Sequence, residues 1–171
     1  MGTAMVGSGL VMWTVKRRQK LPDPERPYFG FRLVERLNIA SIAGLSIAMT
    51  AFLWANRLLP HPMEGRADWE INTFFIVWGL ALLHALMRPA KAAWVEQLWA
   101  ASVLLFLLPI LNALTTQRPL WHSVVAGDWV FAGMDMMCWV LALLHAVLAM
   151  RTARQLASSP ARRRANRQAP I

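Results

Sequence analysis

Ala92-Ala93-Trp94-Val95-Glu96-Gln97-Leu98-Trp99-Ala100-Ala101-Ser102-Val103-Leu104-Leu105-Phe106-Leu107-Leu108-Pro109-Ile110-Leu111-Asn112-Ala113-Leu114 is the stretch that decides the fold. A bilayer core about 30 Å thick is crossed by about 20 apolar residues of helix, and this run is long enough. Leu37 to Leu59, Ile71 to Met87 and Trp129 to Met150 have the same character. No apolar–polar alternation of the kind that marks strands accompanies them. The expected fold is all-α: an integral membrane helical bundle with four full transmembrane helices over 37–150. Ahead of it, residues 1–15 read as a truncated transmembrane helix. Gly2 to Val15 is apolar but too short to span, and it stops at Lys16-Arg17-Arg18. It has neither a basic n-region nor a clear cleavage site, so a signal peptide fits poorly.

The composition agrees. Of 171 residues, 57% are hydrophobic and 16% charged, more apolar and less charged than a soluble domain. Nine Trp stand against one Tyr, with ten Met. The single cysteine, Cys138, excludes an internal disulfide framework, a four-Cys zinc site and a CxxC redox pair. The net charge of +9 would suit nucleic acid, but its placement argues against such a partner. Segment 16–36 holds seven basic residues, segment 88–91 two and segment 151–171 six, whereas 60–70 and 115–128 hold one each. Alternating spans bring the three basic segments to one side, which the positive-inside rule makes the cytoplasm. Residues 16–36 are then a cytoplasmic basic linker, stiffened by Pro22, Pro24 and Pro27. Residues 151–171 are expected to be a disordered cytoplasmic tail within reach of anionic head groups of the lipid bilayer. Trp54, Trp69, Trp121 and Trp129 fall at the outer boundary and Trp13, Trp94 and Trp99 at the inner one.

Within the spans, Ala40, Gly44 and Ala48 recur every fourth residue, a small-residue seam for close helix approach. Pro109 interrupts the third full span and frees a carbonyl one turn earlier, with Asn112 nearby to bond it.

Four histidines sort into two pairs. His84 precedes Arg88 by four residues and His145 precedes Arg151 by six, so both lie about 6 to 9 Å inside the cytoplasmic boundary. Neutral imidazoles inside a bundle are the usual axial ligands of b-type haem; the plainer reading is two core histidines satisfied by carbonyls or hydroxyls. His61 and His122 lie in the two outer loops, with Glu64, Asp68 and Asp128 close in sequence. They are candidates for an outer metal or iron-chelate site, although exposed loop histidines more often have no such role. Asp135 lies seven residues into the last span, about 10 Å below the surface, where it needs a partner or water. Asn112 and Asn72 are its structural partners by position, with a proton relay the alternative. Met134, Met136, Met137 and Cys138 are donors for soft copper(I), or gap fillers. Trp78 and Trp139 lie mid-span, against a flat cofactor or simply in the core.

Several blocks taken in order resemble the PepSY-associated transmembrane family. They include Gly7-Ser8-Gly9-Leu10-Val11-Met12-Trp13-Thr14-Val15-Lys16-Arg17-Arg18, Arg36-Leu37-Asn38-Ile39-Ala40 and Trp54-Ala55-Asn56-Arg57-Leu58-Leu59-Pro60. Trp69-Glu70, His84-Ala85-Leu86-Met87-Arg88-Pro89, Leu108-Pro109-Ile110-Leu111-Asn112-Ala113-Leu114-Thr115-Thr116 and Gly127-Asp128-Trp129 extend the likeness to about residue 150. The resemblance implies a bacterial inner-membrane protein linked to iron uptake, some of whose relatives are similar to haem-containing ferric-siderophore reductases. It also implies that this chain is the C-terminal portion, its partner being an N-terminal PepSY and transmembrane region. On that reading electrons pass from the cytoplasm or the quinone pool through haem b, carried by His84 and His145, to ferric chelates in the periplasm. Arg57 and Arg118 become candidate partners for propionates or anionic substrate. Two other readings stay open: a non-enzymatic anchor or regulatory module for a periplasmic PepSY region, and an iron-chelate permease with Asp135 as coupling carboxylate.

Overall fold

A computed structural model describes residues 2–21, 27–115 and 129–168. It contains α1 (Gly2–Gln19), α2 (Phe29–Ile39), a π-helical turn (Ala40–Gly44), α3 (Leu45–Leu58), α4 (Arg66–Met87), α5 (Ala90–Thr115) and α6 (Trp129–Gln168). No strand occurs among the described residues. Four helical stretches are long and apolar enough to cross a membrane: Phe29–Leu58, Arg66–Met87, Ala90–Thr115 and Ala132–Gln155. The chain is a multi-pass membrane protein.

The buried positions support this. They are mostly small: Ala43, Ala48, Ala85, Ala93, Ala101 and Ala149 are almost without exposed surface. Large apolar side chains point outward instead, among them Phe75, Leu80, Phe106, Val140 and Leu143. In water such an arrangement would forfeit the hydrophobic gain, whereas lipid tails solvate Leu and Phe and leave close backbone packing to hold the helices.

The seam forms at the π-helical turn. A β-carbon on Gly44 would stand 3.0 Å from the Ala81 Cβ and 3.4 Å from Gln97 Oε1, so α4 and α5 close on the first span there. The extra residue of the π turn disturbs the regular ladder, and Trp78 Nε1 donates to the Ala40 carbonyl at 3.0 Å. Pro109 is likewise bracketed: Trp54 Nε1 donates to the Leu104 carbonyl at 3.2 Å and Trp139 Nε1 to the Phe106 carbonyl at 3.3 Å. Neighbouring helices thus satisfy backbone groups around both irregular turns.

Connections set the order of the helices. Gly65, at φ +67°, makes the left-handed residue before α4, and Arg88 is extended, as the residue before Pro89 must be. The α4–α5 turn is therefore tight, and Glu96 and Gln97 are folded back on His84. α6 packs chiefly on α5, with Ser102 Oγ donating to the Ala142 carbonyl at 2.8 Å.

Helix ends differ from the apolar runs. The segment 16–36 is helical up to Gln19 and again from Phe29, because α2 is amphipathic: it buries Phe31, Asn38 and Ile39 while Arg32 faces out. Such a helix leaves no hydropathy run. Thr14 accepts from Asn38 Nδ2 at 3.1 Å, and Arg18 pairs with Glu35 at 2.7 Å, fastening α1 to α2. At the other end α6 runs past Met150 to Gln168 through a segment expected to be a disordered tail; its Ala, Arg and Gln residues favour helix.

Candidate functional site

The most connected polar cluster lies at the end of the bundle that carries Arg88 and Pro89. Its centre is Gln97, 3% exposed, whose amide nitrogen donates to the Ala81 carbonyl at 2.7 Å and lies 3.4 Å from His84 Nδ1. His84 Nε2 is 2.9 Å from Glu96 Oε2. The carboxylate can only accept, so Nε2 carries the proton and Nδ1 presents its lone pair to Gln97. Arg88 forks onto the same carboxylate, with Nε 3.1 Å from Oε2 and Nη2 against Oε1. The hydrogen bond that Arg88 donates to Glu96, then the carboxylate's charge, raises the Arg88 pKa above the ordinary guanidinium value. Arg36 Nη1 donates to the Ala85 carbonyl and joins α2 to the end of α4. His84 lies in the last turn of α4 and Arg88 just beyond it, and the Pro89 turn brings Glu96 and Gln97 opposite them. Gln97 Oε1 is buried without a hydrogen-bond partner and points to Gly44.

His145 is built differently. Its Nδ1 lies 2.8 Å from the Leu141 carbonyl, one turn back on α6. A carbonyl accepts only, so the proton sits on Nδ1 and the Nε2 lone pair is left available. Two rungs place it along α5. Ser102 meets Ala142, and Ala149 packs with Leu98 and Ala43, so His145 stands beside the stretch between Leu98 and Ser102. That is within about one helical turn of the level of His84, which touches Gln97. The matching depth inferred from the sequence therefore holds, but α5 stands between the helices bearing the two histidines.

Asp135 is 7% exposed and accepts from Asn112 Nδ2 at 2.8 Å. Asn112 thus ties α5 to α6 close to the turn broken by Pro109. Of the sulfur donors, Cys138 is buried, whereas Met134, Met136 and Met137 are exposed. Among the described residues no three His, Cys, Asp or Glu side chains gather around a common point.

At the opposite end, His61 Nδ1 lies 3.1 Å from Arg66 Nη1. Arg66 also donates to the Asn56 carbonyl at 2.6 Å and pairs with Glu70 at 3.1 Å, while Asn56 donates to Glu70 at 3.1 Å. Arg66 is thus the latch between α3 and α4, and the loop residue His61 presents its imidazole to that guanidinium. Arg57 is half-buried and has no hydrogen bond or ion pair among the described residues. His122, Arg118 and Asp128 lie outside the described residues, as do Trp121 and the Pro22–Arg26 stretch.

The sequence does not single out Gln97, and it marks Trp54 only as a belt residue. Gln97 had a signal, an amide inside an apolar run, which lipid makes expensive unless it is bonded. Trp54 sits at a span boundary and was indistinguishable there from a belt residue. Comparison with protein-family models, curated proteins and solved structures finds no match to this chain.

The arrangement fits a haem iron at one histidine and not at the other. His145 has the donor set of an axial ligand, with Nδ1 tied to a carbonyl and Nε2 open. Both ring nitrogens of His84 have protein partners, so iron would have to displace Glu96 or Gln97.

Proposed function

We propose that this chain is the transmembrane portion of a PepSY-type protein of the bacterial inner membrane, and that it belongs to an electron path that reduces ferric chelates in the periplasm. The observation that carries this reading is the His145 Nδ1–Leu141 carbonyl contact at 2.8 Å, inside a membrane span. A backbone acceptor on one ring nitrogen sets the tautomer and turns the other toward a metal, as it does for most ligating histidines. A b-type haem held there would supply one-electron chemistry within the low-dielectric layer. His145 would hold its iron from one side. The partner ligand would come from the N-terminal region that the resemblance implies, because His84 is committed to Glu96 and Gln97. Arg57 would offer a charge to an anionic group at the chelate-facing end. The test is the visible absorption of the protein purified with its N-terminal region. A Soret band that weakens or shifts in His145→Ala supports the reading; a colourless protein ends it.

A second reading, a membrane anchor for a periplasmic PepSY region, is favoured by the His84 cluster itself. Glu96 and Gln97 engage both ring nitrogens, and Arg88 and Arg36 tie the same end together, which is what a rigid anchor requires.

A further inference from the structure

Between α5 and α6 a groove of about 550 Å³ opens on the lipid-facing side, walled by Trp99 and Trp139 and lined by Val103, Phe106, Leu143 and Ala146. Its walls are held in place: Trp139 donates to the Phe106 carbonyl and Ser102 to the Ala142 carbonyl. The groove does not stop in apolar surroundings. Lys91 stands eleven residues before Ser102 on α5, and Arg154 eleven residues after Leu143 on α6. Eleven residues are three turns, so each basic residue continues a strip that lines the groove, about 16 Å further along. The helices run antiparallel, so both cations fall at the same end, the one that carries Arg88. Lys91 and Arg154 are exposed and have no ion pair among the described residues.

We infer that this groove binds an anionic phospholipid, with one acyl chain between Trp99 and Trp139 and the phosphate between Lys91 and Arg154. The inference rests on the membrane-spanning fold and not on electron transfer. Length supports it: Lys91 to Leu107 spans about 24 Å of helix, close to the depth of one leaflet with its head-group layer. Charge supports it too, because two cations with no ion pair among the described residues stand in line with the groove at one head-group level. A phosphodiester with a second anionic or polar head group satisfies both, and each cation near the surface favours it.

The experiment is native mass spectrometry of the detergent-purified chain titrated with phosphatidylglycerol or phosphatidylcholine of identical acyl composition. Phosphatidylglycerol should be retained in preference by roughly tenfold or more, and Lys91→Ala/Arg154→Ala should abolish the preference while weak binding of both lipids persists. Ala146→Trp, which fills the groove, should reduce binding of both. Equal retention of the two lipids by the unaltered chain would overturn the proposal, as would an undiminished preference in the double variant. A groove-filling variant that kept its lipid, or that instead split a dimer, would also overturn it, the latter assigning the groove to a second copy. Lys91 and Arg154 are exposed, so the double variant tests the proposal even if Ala146→Trp fails to fold.

Discussion

Gly44 faces Ala81 so closely that a β-carbon on the glycine would stand 3.0 Å from the alanine's own. Both positions belong to helices, where side chains cannot move aside without the backbone. Gly44→Ala is expected to lower stability by about 1 to 3 kcal/mol, the usual range for overpacking a filled core. Ala81→Gly should restore much of the loss when combined with it, since it removes the opposing methyl. Thermal unfolding in detergent, read as a double-mutant cycle, gives the coupling directly. Additive effects of the two substitutions would show that the contact is not close.

The Asp135–Asn112 bond makes a different demand. Asp135→Asn keeps a polar group that can bond Asn112, whereas Asp135→Leu removes that buried hydrogen bond, which costs about 1 kcal/mol. Asp135→Asn should therefore express and unfold nearly as the unaltered chain does, and Asp135→Leu should be clearly weaker. If Asp135 instead carried a proton during turnover, both substitutions would abolish activity at equal expression. Measuring expression and turnover together separates these outcomes.

Much of the fold was legible because lipid allows few solutions. Long apolar runs can only be helices there, and the four spans follow from length alone. What the runs did not disclose lies where charge and helix coincide. α2 carries Arg32 and Arg36 and still folds as the first turns of a span, because its charges share a side and its end is tied by Arg36 to the Ala85 carbonyl. The site was legible in depth but not in connectivity. Counting residues from Arg88 and Arg151 placed His84 and His145 at similar levels; which ring nitrogen faces what depends on Glu96 and Gln97 across a turn. Trp78 and Trp139, candidates to flank a cofactor, prove to be donors to the carbonyls of Ala40 and Phe106. A tryptophan in mid-span has both uses, and only the neighbouring backbone tells them apart.

Orientation follows from where the cations lie relative to the turns. The end of the bundle that carries Arg88 also holds Arg18, Arg36 and Lys91, whereas the Pro60–Gly65 turn is flanked only by Arg57 and the latched Arg66 among the described residues. An alkaline phosphatase fusion after Ile171 is expected to be inactive and one inserted near Gly65 active. The reverse pattern would put His84 and His145 nearer the periplasm and would remove the cytoplasmic electron entry from the proposal.

The two inner histidines should separate in their variants. His84 joins Glu96 on one nitrogen and Gln97 on the other, so His84→Ala leaves the buried Gln97 amide one partner poorer and loosens the α4–α5 turn. The effect should be a loss of stability of about 1 kcal/mol, kept small because His84 and Glu96 are both partly exposed and their pairing is screened. Glu96→Gln should resemble it, since the amide can still accept from His84 but no longer pairs with Arg88 as a charge. His145→Ala releases only the Leu141 carbonyl, which keeps its own helical donor, so stability should barely change. If His145 ligates iron, its loss should instead appear in the absorption spectrum, with the His84 and Glu96 variants keeping theirs. A stable His145→Ala protein with an unaltered spectrum, beside a bleached His84→Ala protein, would exchange the two roles and would require iron to displace Glu96 or Gln97.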